Sequence, residues 1–115
     1  MESKNLAELI AKTLSDKKAY DILVIDVKEK TSLADYFVIA SGKSSTQVGA
    51  LCDHAVEAAE KAGAEVRRKE GLEDCRWAVV DFGDVILHVF NDDTRLFYHL
   101  ERLWATDENT EKIED

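Results

Sequence analysis

The spacing of apolar positions changes several times along the chain, and each change marks an element. Leu6, Leu9, Ile10, Thr13 and Leu14 recur at helical spacing. Residues 3–16 are therefore predicted to form an amphipathic helix, with Asn5 and Glu8 placed as a capping box. The polar run 15–18 ends it. Residues 22–27 are a short β-branched run between charged neighbours and read as a strand, followed by a polar connector over 28–34. The next run, Tyr36-Phe37-Val38-Ile39-Ala40, is apolar without interruption, as expected of a central strand covered on both faces and stopped at Gly42.

Ser44 and Gln47 form a second capping box. Beyond it, Val48, Leu51, Cys52, Ala55, Ala58, Ala59 and Ala62 supply the buried stripe of a long helix, with Gly63 at its C-terminal cap. Residues 64–69 read as a charged edge strand, in which Arg67, Arg68 and Lys69 deter pairing with another chain. A loop over 70–75, strands near 76–81 and 85–90, and an amphipathic helix over 92–104 complete the chain. This order predicts a single-domain α/β fold over 1–105, a mixed five-stranded sheet flanked by helices, with 106–115 an acidic, disordered tail.

The turn Asp81-Phe82-Gly83-Asp84 leaves two hairpin registers open. A two-residue Phe82-Gly83 loop sets Trp77 opposite His88, on one face with Val79, Ile86 and the Asp81/Asp84 pair. A three-residue Asp81-Phe82-Gly83 loop sets Trp77 opposite Leu87, and is favoured because Phe82 at positive φ would be strained. Trp77 itself has two readings. In a core, its truncation to alanine would cost about 3–5 kcal/mol of stability; as an interface anchor, about 2–4 kcal/mol of binding.

Composition narrows the class. At 115 residues and 45% apolar content the chain suits one soluble domain, and no apolar run approaches the roughly 20 residues of a membrane helix. The first 20 residues contain no arginine and no long apolar core, so neither a presequence nor a secretory signal is expected and the cytoplasm is the default location. Cys52 and Cys75 are expected as buried free thiols. The formal charge is −9, and the body without the tail is still acidic, which disfavours direct binding to naked nucleic acid.

Candidate chemistry is sparse. Gly42-Lys43-Ser44 stands between a strand and a helix, but a phosphate-binding loop needs glycine where Phe37 stands. His54, His88, His99, Cys52 and Cys75 show no metal-ligand spacing, and Asp81 and Asp84 suit turn formation better than metal binding or acid/base work. No catalytic residue, metal or cofactor is expected. Residues 77–104 instead gather six of the nine aromatics. Leu96, Leu100, Leu103, Phe97 and Trp104 make an inward stripe on the last helix, and Arg95, Tyr98 and Arg102 another face. Such a surface suits being gripped.

Taken in order, Lys18-Ala19-Tyr20-Asp21-Ile22, the run from Ala34 to Gly42, Ser44 with Gln47, Trp77 with Asp81 to Asp84, His88-Val89-Phe90, and Arg95, Tyr98, Leu100, Glu101, Leu103 and Trp104 resemble the ribosomal silencing factor family, also called Iojap. The likeness spans about residues 5–104. It implies a small mixed α/β fold related to nucleotidyltransferases. It also implies a non-catalytic protein that binds the large ribosomal subunit through universal ribosomal protein uL-fourteen, blocks docking of the small subunit and represses translation. A role in large-subunit assembly and homodimers are further implications. Asp74, Arg76, Trp77, Asp81, His88, Arg95 and Tyr98 are the expected partner-binding residues. The rival reading is a Mg-dependent nucleotidyltransferase. It requires a Gly-Ser turn and a pair of metal-binding acids; here Ser41-Gly42 is reversed, and Arg67 and Arg68 stand where the acids belong.

Overall fold

The computed structural model describes residues 1–92, 105–106 and 108–113. Its elements are α1 (Ser3–Asp16), β1 (Tyr20–Asp26), β2 (Tyr36–Gly42), α2 (Ser45–Lys61), β3 (Arg68–Glu70), β4 (Trp77–Asp81), β5 (Val85–Asn91) and β6 (Thr110–Ile113). The strands form one sheet in the order β3-β4-β5-β2-β1-β6, in which only β2 and β5 run parallel. All seven residues of β2 are buried, as its unbroken apolar run requires.

The sheet has six strands where five were expected, and the additional one comes from the segment expected to be a disordered tail. Residues 110–113 pair with Ile22 to Ile25 along the free edge of β1. Asn109 fixes the join. Its backbone carbonyl accepts from the Asp26 amide at 2.8 Å, and its side-chain amide donates to the Asp26 carbonyl at 3.1 Å. Ile113 packs against the helix-side core. The open edge of β1 thus supplies backbone partners that the polar sequence Thr-Glu-Lys-Ile does not advertise.

Both helices cover one face of the sheet. Leu6, Ile10 and Leu14 of α1 and Val48, Leu51, Cys52, Ala55 and Ala59 of α2 pack on Val38, Ala40, Ala78, Val80, Leu87 and Val89. At the start of α2, Ser44 Oγ accepts the Gln47 amide at 3.1 Å, while Gln47 Oε1 accepts the Lys43 amide at 2.6 Å, so the predicted box forms with its return bond one residue early. The helix ends at Lys61 with Ala62 as its C-cap, and Gly63 just beyond takes a φ of +94°; Gly63 N–H reaches Glu60 O and Ala64 N–H reaches Ala59 O, both at 3.0 Å. The predicted box on α1 does not form. Ser3 already lies in the helix behind Glu2 and donates its hydroxyl to Asp35 at 2.8 Å, so a tertiary bond fixes the first turn in place of Asn5.

Neither expected hairpin register occurs. Trp77 pairs with Phe90, Val79 with His88 and Asp81 with Ile86, and Phe82 N–H bonds to Val85 O at 2.9 Å, leaving Gly83-Asp84 as the two-residue turn. Three contacts select it. Gly83 takes the positive φ of +94°, Asp81 Oδ1 accepts the Gly83 amide at 2.7 Å, and the Phe82 ring is buried in the helix-side core. The expected third strand is shorter and later than 64–69, and its three residues are exposed at the sheet edge as its charges imply. The predicted helix over 92–104 lies outside the described residues except at its first position.

Candidate partner-binding surface

Side chains alternate along a strand, so Ala78 and Val80 facing the helices send Trp77, Val79 and Asp81 to the opposite face. On β5 the same alternation places Ile86, His88 and Phe90 there, and on β2 Phe37 and Ile39. This second face has its own apolar cluster of Ile25, Val27, Ala34, Phe37, Ile39 and Phe90, with Leu23, Trp77, Ile86 and Ala105 against it. Trp77, Val79, Asp81 and Ile86 are each partly open to solvent.

Trp77 is held on two sides. Its ring stacks on Phe90 at 5.3 Å between centroids and 21° between planes, and its Nε1–H donates to His88 Nδ1 at 3.1 Å. Phe37 meets the His88 ring edge-on at 5.2 Å. Because His88 Nδ1 accepts, the neutral ring carries its proton on Nε2. That atom is buried and has no hydrogen-bond partner among the described residues. Burial pushes the His88 pKa down to about 4, so the imidazole is uncharged near neutrality.

The loop before β4 brings the chain to Trp77 from the side. Gly71 has a φ of +77°, and a Cβ there would collide with the Trp77 carbonyl oxygen, so only glycine fits. Cys75 follows with a φ of +55°, its thiol buried and donating to Leu72 O at 3.3 Å. Cys52 is also a buried free thiol, its pKa pushed up to about 12 by burial. Asp74 and Arg76 are exposed on either side of Cys75, and Asp74 Oδ1 accepts the Arg76 amide at 3.2 Å.

Of the expected partner-binding residues, the structure brings Trp77 and His88 into contact, leaves Asp74 and Arg76 exposed in the loop that leads into β4, and places Asp81 on the face of Trp77 at the far end of β4. Arg95 and Tyr98 lie outside the described residues. Val79 and Ile86 share this face, as the two-residue reading of the hairpin already had them, while Phe90, fully buried beneath Trp77, was not expected there. The observed hairpin register would have revealed it, because it sets Phe90 opposite Trp77.

Two other places were open to chemistry. At the start of α2, Ser44 and Gln47 occupy the backbone amides that a phosphate would need. Along the β1–β6 edge lies an open cleft of about 630 Å³ whose lining alternates Lys28, Lys30 and Lys4 with Asp26, Glu108 and Glu111, so it presents no single sign of charge. Among the described residues, no three histidine, cysteine or acidic side chains converge on a metal-sized site, and no helix is long and apolar enough to cross a membrane.

Comparison with known proteins adds the following. The family described as ribosomal silencing factor during starvation matches residues 1–115, beyond the 5–104 on which the sequence resemblance rests. The ribosomal silencing factor of Bacillus subtilis is 40% identical over 105 residues, covering 91% of this chain and 89% of its own. The mouse protein named mitochondrial assembly of ribosomal large subunit protein 1 is 34% identical over 101 residues, covering 85% of this chain and 44% of its own. A crystal structure of a Chromobacterium violaceum protein superposes with a TM-score of 0.88 at 36% identity, covering 90% of this chain and 87% of that one.

Proposed function

Because this chain belongs to the ribosomal silencing factor family, we propose that it represses translation by occupying the large ribosomal subunit where the small subunit must dock. The contact is with universal ribosomal protein uL-fourteen, and the block is steric. The protein acts in the cytoplasm without a cofactor and without catalysing a reaction. The observation that carries this reading is the family match over the whole chain.

The second face of the sheet supports it. Trp77, Val79 and Ile86 offer apolar area to a partner, Asp74, Arg76 and Asp81 a polar rim, and the net charge of −9 suits a basic ribosomal protein. Arg95 and Tyr98 are proposed to extend the contact. His88 is only 8% exposed and acts through Trp77, by holding the indole. Self-association into a homodimer is part of the same proposal.

Sedimentation with separated subunits tests it: the protein is expected to travel with large subunits, to cross-link to uL-fourteen and to leave small subunits bare. Protein remaining at the top of the gradient would refute the reading. The name of the mouse relative favours a second reading, assistance in large-subunit assembly. Depletion of the protein in growing cells separates the two, since only an assembly role predicts accumulation of incomplete large subunits.

A further inference from the structure

Among the described residues, Met1 and Leu33 are the large apolar side chains left mostly in water, at 69% and 71% exposure. Met1 stands at the end of the chain. Leu33 stands in the middle of a loop whose backbone is held at several points. Lys30 and Thr31 both donate their amides to Val27 O at 3.0 Å, and the Leu33 amide is held by Thr31 Oγ1 at 3.1 Å. The loop is closed at its base by Val27 N–H to Asp35 O at 2.9 Å, and tied to the hairpin by Asp35 N–H to Asp84 O at 2.7 Å. Ser3 of α1 bonds to the Asp35 carboxylate as well. The neighbours Val27 and Ala34 are buried in the second-face cluster. A scattered exposed leucine needs no explanation. One displayed by a loop ordered from several sides is preorganised for contact, because its ordering entropy is already spent before any partner arrives.

We propose that Leu33 is a second apolar anchor of the large-subunit interface, seated in an apolar pocket on the same basic protein that covers Trp77. This rests on the large-subunit reading above. Leu33 and Trp77 mark opposite ends of the second face: Asp84, bonded to the base of the Leu33 loop, immediately precedes β5, and Phe90, stacked on Trp77, lies one residue before its end. Six residue steps of strand span about 20 Å. A standard interface of about 800 Å² per partner is about 30 Å across, so one footprint holds both anchors. Two separated anchors also fix the orientation of the bound protein, which one tryptophan does not.

The charges around the loop select the kind of partner. Glu29, Asp35, Asp81 and Asp84 are exposed or partly so, facing Lys30 on the same loop and Arg67 beside Gly83. Lys28 is matched by Asp26 at 3.6 Å and lies over the Tyr36 ring, and Lys4 shares a cleft with Lys28, Lys30 and the acids Asp26 and Glu29. An apolar knob with an acid-rich rim complements a basic protein surface and repels an RNA backbone.

The test titrates fluorescently labelled full-length protein with purified large subunits and compares Leu33→Glu, Leu33→Ser and Leu33→Met, with thermal melts of each. Leu33→Glu and Leu33→Ser are expected to bind at least about tenfold more weakly, Leu33→Met within about twofold of wild type, and all three to melt as wild type does. Wild-type affinity in Leu33→Glu and Leu33→Ser would overturn the anchor while leaving the large-subunit reading intact. No binding by the wild-type protein would defeat both. Variants that lose only self-association, with subunit binding unchanged, would place Leu33 between two copies of this chain and overturn the proposal as well.

Discussion

Trp77 and His88 depend on one another. The indole N–H is satisfied by His88 Nδ1, while the opposite side of the histidine keeps a buried donor at Nε2 that has no partner among the described residues. Trp77→Phe keeps an aromatic ring on Phe90 and removes the indole donor, leaving both histidine nitrogens unpaired. It is expected to lower stability by about 1–2 kcal/mol in chemical denaturation, where an unchanged midpoint would show that the bond contributes nothing. The histidine also sets a pH window. Its folded pKa of about 4 lies below the ordinary histidine value of 6.5, so the unfolded chain binds the extra proton first as pH falls. Stability from this group is therefore full above about pH 6.5 and is lost between about pH 6.5 and 4, by up to about 3 kcal/mol. Replacing His88 with leucine removes that part of the decline. Wild-type and His88→Leu curves that run parallel across the window would contradict the assignment.

At the scale of elements, β6 is a short polar strand kept in place by its neighbours. Asn109 accepts the Thr106 amide at 2.6 Å and reaches across to the Asp26 carbonyl, so it joins the end of the chain to β1. Asn109→Ala is expected to raise hydrogen exchange at the Asp26 amide, which bonds to the Asn109 carbonyl, by about tenfold or more with little change in the global midpoint. Unchanged protection would show that strand pairing alone holds β6. The same strand shows why the sequence reading stopped short. β2 was legible because five consecutive apolar residues fit a strand covered on both faces. The ends of α2 were legible because Ser44, Gln47 and Gly63 act locally. β6 was not, since its partners on β1 lie 85 to 91 residues away, at an edge that the sequence does not show to be open. The hairpin register was missed for a similar reason: burial of the Phe82 ring in the helix-side core and the Asp81 side-chain bond outweighed the local argument about Phe82, and with the register went the placement of Phe90 beside Trp77.

The whole molecule presents two unlike sides. Among the described residues, two helices seal one face of the sheet, while the other carries a stacked tryptophan, partly open aliphatic side chains and carboxylates, on a chain of net charge −9. That division fits a protein which works by being bound in place. Its candidate surface was legible in part from sequence, since Trp77, Asp81 and His88 do share a face, whereas the geometry that orients Trp77 required the fold. The most direct test of the central claim is subunit joining itself, followed by light scattering or gradient sedimentation of purified large and small subunits at joining Mg²⁺ concentrations. Added protein is predicted to reduce joined ribosomes in proportion to its occupancy of the large subunit. Joining that proceeds undiminished on large subunits saturated with the protein would contradict the account.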